Sequence, residues 1–168
     1  MTTKKGPGGT PMTVRLDAEP VPYQLHAYHH DPAVRSFGTE AAEALGLPPE
    51  QVFKTLLTTV DDCGTNTWVA AMVPVSGRLD LRSLAAVLGV KKVTLADPVD
   101  AQRRTGYVIG GMAPLGSRQA HRTVIDSSAL TFPTIFCSAG RRGLDVELAP
   151  QDLVRLADAV VAAIALTS

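Results

Sequence analysis

The apolar, aromatic and β-branched residues of Gln51 to Val60 predict a β-strand, in which successive side chains point to opposite faces. The alternation puts Lys54 on the same face as Val52 and Leu56. Removing an ammonium group from water is costly unless a partner or a ligand compensates. Either the stem of Lys54 lies on the core while its head reaches water, or the lysine is kept for chemistry. The strand alone favours the first interpretation.

Helical periodicity and capping residues predict five helices. They are Thr10 to Glu19, Ser36 to Leu45, Leu81 to Leu88, Pro98 to Arg104, and a last helix from Pro150 with the buried stripe Leu153, Leu156, Val160 and Ile164. The side chains of Asp80 and Asp97 are predicted N-caps, because an aspartate before a helix accepts hydrogen bonds from its first free N–H groups.

Period-two or continuous apolar runs predict further strands. They are Val21 to Tyr28, Thr67 to Val75, Lys92 to Leu95, Tyr107 to Ile109, Thr123 to Ile125, Thr134 to Cys137 and Leu144 to Leu148. A turn at Asp61 to Gly64 predicts that the Lys54 strand pairs with Thr67 to Val75, which is apolar enough to be covered on both faces. Another turn is predicted at Ser138 to Gly143. The mixed order of elements predicts a single α/β (α+β) domain on a mixed sheet.

Composition excludes several classes of protein. The 168 residues suit one domain, and sixteen basic against sixteen acidic residues leave no overall field that would attract nucleic acid or a membrane. Cys63 and Cys137 are far apart and form no zinc or disulfide pattern. Residues 1–9 are polar and glycine-rich, which predicts a disordered tail before a domain over 10–168 and a cytoplasmic protein. The apolar run from Leu153 to Leu166 is too short to span a bilayer.

A glycine-rich segment, Gly110 to Gly116, follows the predicted strand Tyr107 to Ile109. It lacks the ending of a phosphate-binding Walker loop and the helix of a dinucleotide-binding fingerprint. Glycines let the backbone approach a ligand closely and point N–H groups at it, so the segment is either a binding loop or a tight turn.

Other candidate chemistry is weaker. His26, His29, His30 and Asp31 have metal-ligand side chains, but their spacing indicates a strand end and a surface turn. Serines such as Ser138 lie in no nucleophile elbow, and Cys137 ends an apolar strand and is predicted to be core. Tyr28 and Phe37 are suited to a pocket wall or to simple packing. The predictions therefore include no metal and no cofactor.

Together these segments resemble the YbaK family of free-standing aminoacyl-tRNA deacylases, relatives of the editing domain of bacterial prolyl-tRNA synthetase. The shared motifs are His30-Asp31-Pro32, Phe37-Gly38, Val52 to Leu57, Leu79-Asp80-Leu81, Ala96-Asp97-Pro98, Thr105-Gly106-Tyr107, Gly110-Gly111, Pro114-Leu115-Gly116 and Ser138 to Leu144. The resemblance implies a mixed, barrel-like sheet with flanking helices. It implies hydrolysis of cysteine wrongly attached to proline tRNA.

The resemblance also implies a site. Lys54 is the essential residue, and the substrate-binding positions are Tyr28, Phe37, Thr55, Gly110, Gly111, Ser138 and Asp145. Asp145 is a possible charge partner of Lys54. In cysteine-specific members the substrate thiol attacks its own ester, so the protein supplies orientation and oxyanion stabilisation. The implied partners are the aminoacyl-tRNA acceptor end and prolyl-tRNA synthetase, with no membrane.

Three alternatives remain open from sequence. In the first, the protein is an enzyme that removes alanine or another small amino acid with a water nucleophile. In the second, it is a non-catalytic module that binds the acceptor end or a synthetase. A lysine Schiff-base enzyme is disfavoured because no cofactor phosphate motif accompanies Lys54.

Overall fold

The computed structural model describes residues 9–62 and 65–167. Within them the chain forms five α-helices: α1 Pro11–Asp17, α2 Phe37–Leu45, α3 Leu81–Leu88, α4 Pro98–Thr105 and α5 Pro150–Ala157. The strands are β1 Tyr23–Ala27, β2 Phe53–Asp62, β3 Thr65–Pro74, β4 Gly77–Leu79, β5 Val93–Leu95, β6 Arg122–Asp126, β7 Ile135–Arg141, β8 Leu144–Leu148, β9 Val160–Ala162 and β10 Ala165–Thr167. The predicted tail, except Gly9, and the centre of the predicted turn, Cys63-Gly64, lie outside the described residues.

A five-stranded sheet in the order β5-β2-β3-β6-β9 forms the centre of the fold. β2 and β3 pair antiparallel, with Lys54 opposite Val73, whereas β6 is parallel to β3 and β9 is parallel to β6. A second sheet has the order β1-β8-β7, and β4 pairs with β10. The predicted mixed α/β domain is confirmed, and over the described residues its strands form three sheets and no closed barrel.

Local capping signals set most helix ends as predicted. The carboxylate of Asp80 accepts a hydrogen bond from the N–H of Arg82, and that of Asp97 accepts from Val99. α2 ends at Gly46, whose φ of 67° lies in the left-handed region that glycine adopts without a steric penalty. These ends depend on residues within one turn, so sequence alone locates them.

β3 is buried on both faces, as its apolar run predicts. Ala70 and Met72 pack in one hydrophobic cluster with Phe53 and Leu57, while the alternate residues of β3 pack in a second cluster with Leu84 of α3. Fully burying an aliphatic side chain contributes about 1.5–3 kcal/mol. The strand that supports β2 is therefore held by apolar packing on both of its faces. None of the helices in the described residues is long and apolar enough to cross a bilayer.

The predicted last helix is wrong beyond Ala157. Asp158 takes the left-handed conformation with φ 47°, which ends α5. The chain then enters β9, whose β-branched Val160 and Val161 pair in parallel with β6. Val160 is 42% exposed, and Ile164 belongs to a different cluster from Leu153. Hydrogen bonds from a distant strand outweigh the helical spacing.

Two other expectations around the glycine segment are corrected. Residues 107–109 form no strand, because Tyr107 is buried and its hydroxyl donates to the carbonyl of Leu115 at 2.6 Å, which folds the segment back on itself. The turn predicted at Ser138 to Gly143 is shorter, since β7 continues to Arg141 through an irregular register after Ser138. The longer β7 brings Arg142 to the side of the glycine segment.

Candidate active site

A cavity of about 420 Å³ lies between α2, the start of β2, the glycine segment and the facing positions of β7 and β8. Seven of the eight residues predicted for the site line it: Tyr28, Phe37, Lys54, Thr55, Gly110, Ser138 and Asp145. Gly111 does not, because a Cβ there would lie 2.7 Å from the Cα of Arg141, so this glycine packs on β7 instead. The cavity has the size and mixed lining of a small-ligand site.

Lys54 places a cation in the cavity wall. Its side chain is half-buried, and Nζ donates a hydrogen bond to the carbonyl oxygen of Gly77 at 3.2 Å. Burial lowers the pKa of Lys54. An ammonium group has three N–H donors, so two remain for a ligand. In the described part of the chain no ion pair within 4.0 Å joins Lys54 to Asp145, and the predicted charge partner does not contact it.

Asp145 gives the cavity a buried carboxyl group. It is 4% exposed and lies opposite Ser138 in the β7–β8 ladder. Burial raises its pKa to about 7. The pKa of Tyr28 is raised to about 12, first by burial and then by the negative charge of Asp145. This end of the cavity therefore holds a carboxyl group that titrates near neutral pH beside a neutral phenol.

Thr55 contributes an unsatisfied hydroxyl. Among the described residues its Oγ1 is buried and has no hydrogen-bond partner, a condition that costs about 1–3 kcal/mol. A ligand with a hydroxyl, carbonyl or amine group would relieve that cost. An unpaired polar atom in a cavity wall is the pattern expected where a polar ligand binds.

Phe37 forms the aromatic wall and explains Gly110. A Cβ on Gly110 would lie 2.5 Å from Cγ of Phe37, and Gly110 has φ 86°. The guanidinium of Arg142 covers the ring at 4.6 Å from its centroid, while Nε donates to the carbonyl of Ile109 at 2.7 Å. Gly110 is therefore required for the close approach of Phe37, a reason that its sequence pattern did not indicate.

Sequence reasoning missed several residues around the cavity. Arg142 was recognised only as part of the shared motif Ser138 to Leu144, and Gly77 carries no signal because its contribution is a backbone carbonyl. His30 was assigned to a turn, yet its Nδ1 lies 2.7 Å from Glu40 Oε1 and its ring lies 5.8 Å from that of Phe37. Spacing along the chain does not report such contacts between elements.

The other candidates have structural partners. His26 contacts Glu147 at 2.9 Å, and the described residues contain no group of three His, Cys, Asp or Glu that could hold a metal ion. Cys137 is fully buried, and burial raises its thiol pKa. Ser138 Oγ accepts a hydrogen bond from the N–H of Gly140 at 3.1 Å. Among the charged side chains that line the cavity, Lys54, Asp145 and Arg35 keep free hydrogen-bonding capacity, since Arg35 uses only Nη1, which donates to the carbonyls of Pro32 and Val34.

Relatives were found by sequence. Residues 31–156 match the model of the aminoacyl-tRNA editing domain. The chain is 33% identical over 156 residues to EbsC of Enterococcus faecalis, a candidate Cys-tRNA(Pro)/Cys-tRNA(Cys) deacylase, with 93% of each chain covered. It is 29% identical over 117 residues to the multifunctional Ser/Thr-tRNA deacylase ProXp-y of Escherichia coli K12, covering 69% of this chain and 70% of that protein.

Two solved structures share the fold. A hypothetical protein superposes with a TM-score of 0.82 at 25% identity, covering 93% of this chain and 99% of the other. A candidate trans-editing enzyme for prolyl-tRNA synthetase superposes with a TM-score of 0.73 at 26% identity, covering 86% and 87%. With the family model matched over three quarters of its length, the chain belongs to the YbaK-type family of aminoacyl-tRNA editing domains.

Proposed function

We propose that this protein is a cytoplasmic trans-editing deacylase that removes cysteine from mischarged Cys-tRNA(Pro) and acts in a complex with prolyl-tRNA synthetase. The broader part follows from family membership: the chain is an enzyme that cleaves aminoacyl-tRNA esters. The cysteine substrate is supported by EbsC, and the synthetase by the superposed trans-editing enzyme. The observation that carries the proposal is the unpaired ammonium of Lys54 in the wall of the cavity.

Lys54 supplies positive charge where the ester carbonyl becomes an oxyanion. Gly77 O occupies one N–H donor of the ammonium, which leaves the others free to donate to a bound carbonyl. Removing one such donor typically costs about 10²–10³ in kcat, because the group is already oriented and partly desolvated. Lys54 therefore acts by electrostatic stabilisation and need not be a nucleophile.

The thiol of the substrate is the proposed nucleophile. Its sulfur bonds to the ester carbonyl carbon, the carbon–oxygen ester bond breaks, and the thiol proton passes to the released ribose oxygen. The strained thiolactone is then opened by water. Support comes from the cavity lining, where the described residues include no histidine base and Ser138 is already hydrogen-bonded.

Asp145 is proposed to hold the α-ammonium group of the amino acid. Its ionised form would pair with that cation inside the cavity, where a charge-assisted hydrogen bond is worth about 1.5–3 kcal/mol. Thr55 Oγ1 is available for a further hydrogen bond to the substrate. Together with Lys54 these groups would orient the thiol towards the carbonyl carbon.

The acceptor end would lie at the rim formed by Phe37 and Arg142. The guanidinium covers the ring and is exposed on its outer side, so it is available to stack on a base or to contact a phosphate. With sixteen basic and sixteen acidic residues the chain carries no strong field for tRNA, so delivery by the synthetase is part of the proposal.

A second candidate is water-dependent cleavage of other small aminoacyl esters. The likeness to a Ser/Thr-tRNA deacylase favours it, as 69% of this chain is covered in that match. Such a reaction needs a base to activate water, and Asp145 with its pKa of about 7 is the residue suited to that role.

A panel of tRNA(Pro) charged with cysteine, alanine or serine distinguishes the thiol-assisted mechanism from water-dependent cleavage. We expect the cysteine ester to be cleaved at least about 100-fold faster than the serine ester, because only the thiol is a strong internal nucleophile. Single-turnover rates at enzyme excess provide the measurement. Equal rates on all three esters would reject the thiol-assisted mechanism, and no cleavage of any ester would reject catalysis in favour of a binding module.

Gly110→Ala tests the aromatic wall. The new Cβ would meet the Phe37 ring at 2.5 Å, so we expect deacylation to fall about 10-fold or more and the free energy of unfolding to fall by about 1–3 kcal/mol. Gly46→Ala is the matched control, since Gly46 also has a positive φ but has nothing within 4 Å of its Cβ position. Equal loss of activity in both variants would show that backbone strain, and not the position of Phe37, is responsible.

A further inference from the structure

The direction of the Lys54 ammonium depends on one backbone carbonyl. Across residues 9–62 and 65–167 its only hydrogen-bond acceptor is Gly77 O, the first carbonyl of β4. A lysine side chain has a long flexible stem, so an acceptor at its end determines where Nζ points. Whatever holds β4 in place therefore also orients the cation in the cavity.

β4 is held by β10. In the described sheets β10 is the only strand paired with β4, and Gly77 lies opposite Thr167. A Cβ on Gly77 would be 2.5 Å from the carbonyl oxygen of Leu166. The backbone of β10 thus lies directly against Gly77, and a shift of β10 would release the carbonyl that Lys54 contacts.

β10 is in turn held by a buried aspartate. Asp126 is 6% exposed, and its Oδ1 accepts hydrogen bonds from the N–H groups of Ile164 and Ala165, both at 2.9 Å. Its other oxygen, Oδ2, accepts from the N–H and hydroxyl of Ser128 at 3.2 and 2.5 Å. Asp126 ends β6, which belongs to the same five-stranded sheet as Lys54.

We propose that Asp126 is a positioning residue for Lys54, acting through β10 and Gly77. The inference rests on the proposed function of Lys54. The contacts form a closed path: β2 carries Lys54, Gly77 O accepts its hydrogen bond, β10 covers Gly77, and Asp126 fixes the start of β10 to the sheet that contains β2. A residue remote from the cavity thereby determines the orientation of the cation.

The two oxygens of Asp126 allow a matched pair of variants. Asp126→Ala removes the acceptor for β10, and we expect the single-turnover rate on Cys-tRNA(Pro) to fall about 10-fold or more, because small misplacements of a catalytic group cost that much. Ser128→Ala removes only the hydroxyl donor to Oδ2 and should stay within about twofold of the parent. Asp126→Asn, which keeps an oxygen at Oδ1, should recover most of the rate.

Gly77→Ala disturbs the same contact between β10 and Gly77 while Asp126 stays intact. Its Cβ must displace the Leu166 backbone, so we expect a similar loss of rate. Gly9→Ala is the control, since its Cβ would make an ordinary 3.9 Å contact with Val14. A parental rate in folded Gly77→Ala or folded Asp126→Ala would overturn the proposal.

A readout independent of activity is the NMR signal of the Lys54 ammonium group. The chain has five lysines, and the Lys54 signal is assigned by its loss in Lys54→Met. We expect it to shift in Asp126→Ala and Gly77→Ala and to stay in place in Ser128→Ala. An unchanged Lys54 signal in both Asp126→Ala and Gly77→Ala would overturn the positioning role, even if the parent cleaved no ester. A shifted signal in these variants, with no cleavage by the parent, would reject only the proposed function.

Discussion

Lys54→Met is expected to lower the deacylation rate by about 10²–10³, the loss typical of removing one preorganised donor to an oxyanion. Methionine keeps an unbranched stem and removes the ammonium group, with both its charge and its N–H donors. Because burial lowers the pKa of Lys54, the folded protein holds its ammonium at a cost, and the variant should be no less stable than the parent. Single-turnover rates and a denaturant titration measure the two quantities.

Lys92→Ala is the control for loss of a positive charge. Lys92 is exposed and lies outside the cavity, so its removal tests whether general attraction of tRNA explains the effect. We expect it to change the rate by less than about twofold at moderate salt. A stable Lys54→Met protein with the parental rate would refute the proposed role of Lys54.

Asp145→Asn is expected to stabilise the fold near neutral pH and to impair the reaction. The carboxyl pKa rises from 3.8 to about 7 on folding, so the folded protein binds the proton more tightly than the unfolded chain. Its unfolding free energy therefore falls as pH rises from about 4 to about 7, by on the order of 4 kcal/mol, and is level above that range. The amide stays neutral and escapes this loss.

Denaturant titrations at about pH 4 and about pH 8 measure the difference. The Asn variant should gain stability over the parent at about pH 8 and show no such gain at about pH 4. Glu43→Gln, at an exposed position of α2, should show no pH-dependent gain. A variant equally destabilised at both pH values would contradict the buried, proton-binding carboxyl.

The same variant tests substrate recognition. Loss of the charge that would pair with the α-ammonium group should reduce kcat/KM for Cys-tRNA(Pro) by about 10-fold to 100-fold. An N-acetylated cysteine ester lacks that ammonium charge, so the parent and Asp145→Asn should cleave it at similar rates. A full loss on both esters would instead assign Asp145 to the chemical step.

Features that depend on neighbouring residues were predictable from sequence. The ends of α2, α3 and α4 follow from an aspartate cap or a glycine in the left-handed region, and both are local. The burial of both faces of β3 follows from its apolar run. The end of α5 was not predictable in this way, because β9 is stabilised by parallel pairing with β6, a strand more than thirty residues earlier.

Lys54 of β2 shows the same division between local and long-range information. The alternating direction of side chains in a strand predicted that Lys54 lies on an apolar face. The order of the motifs around it indicated the aminoacyl-tRNA editing family. Local patterns carry that much because period, caps and motifs involve residues close in the chain. Only the tertiary structure decided that the ammonium bonds to Gly77 and not to Asp145, that Gly110 makes room for Phe37, and that Asp126 holds β10. These contacts join elements far apart in sequence, so they arise only when the sheets assemble.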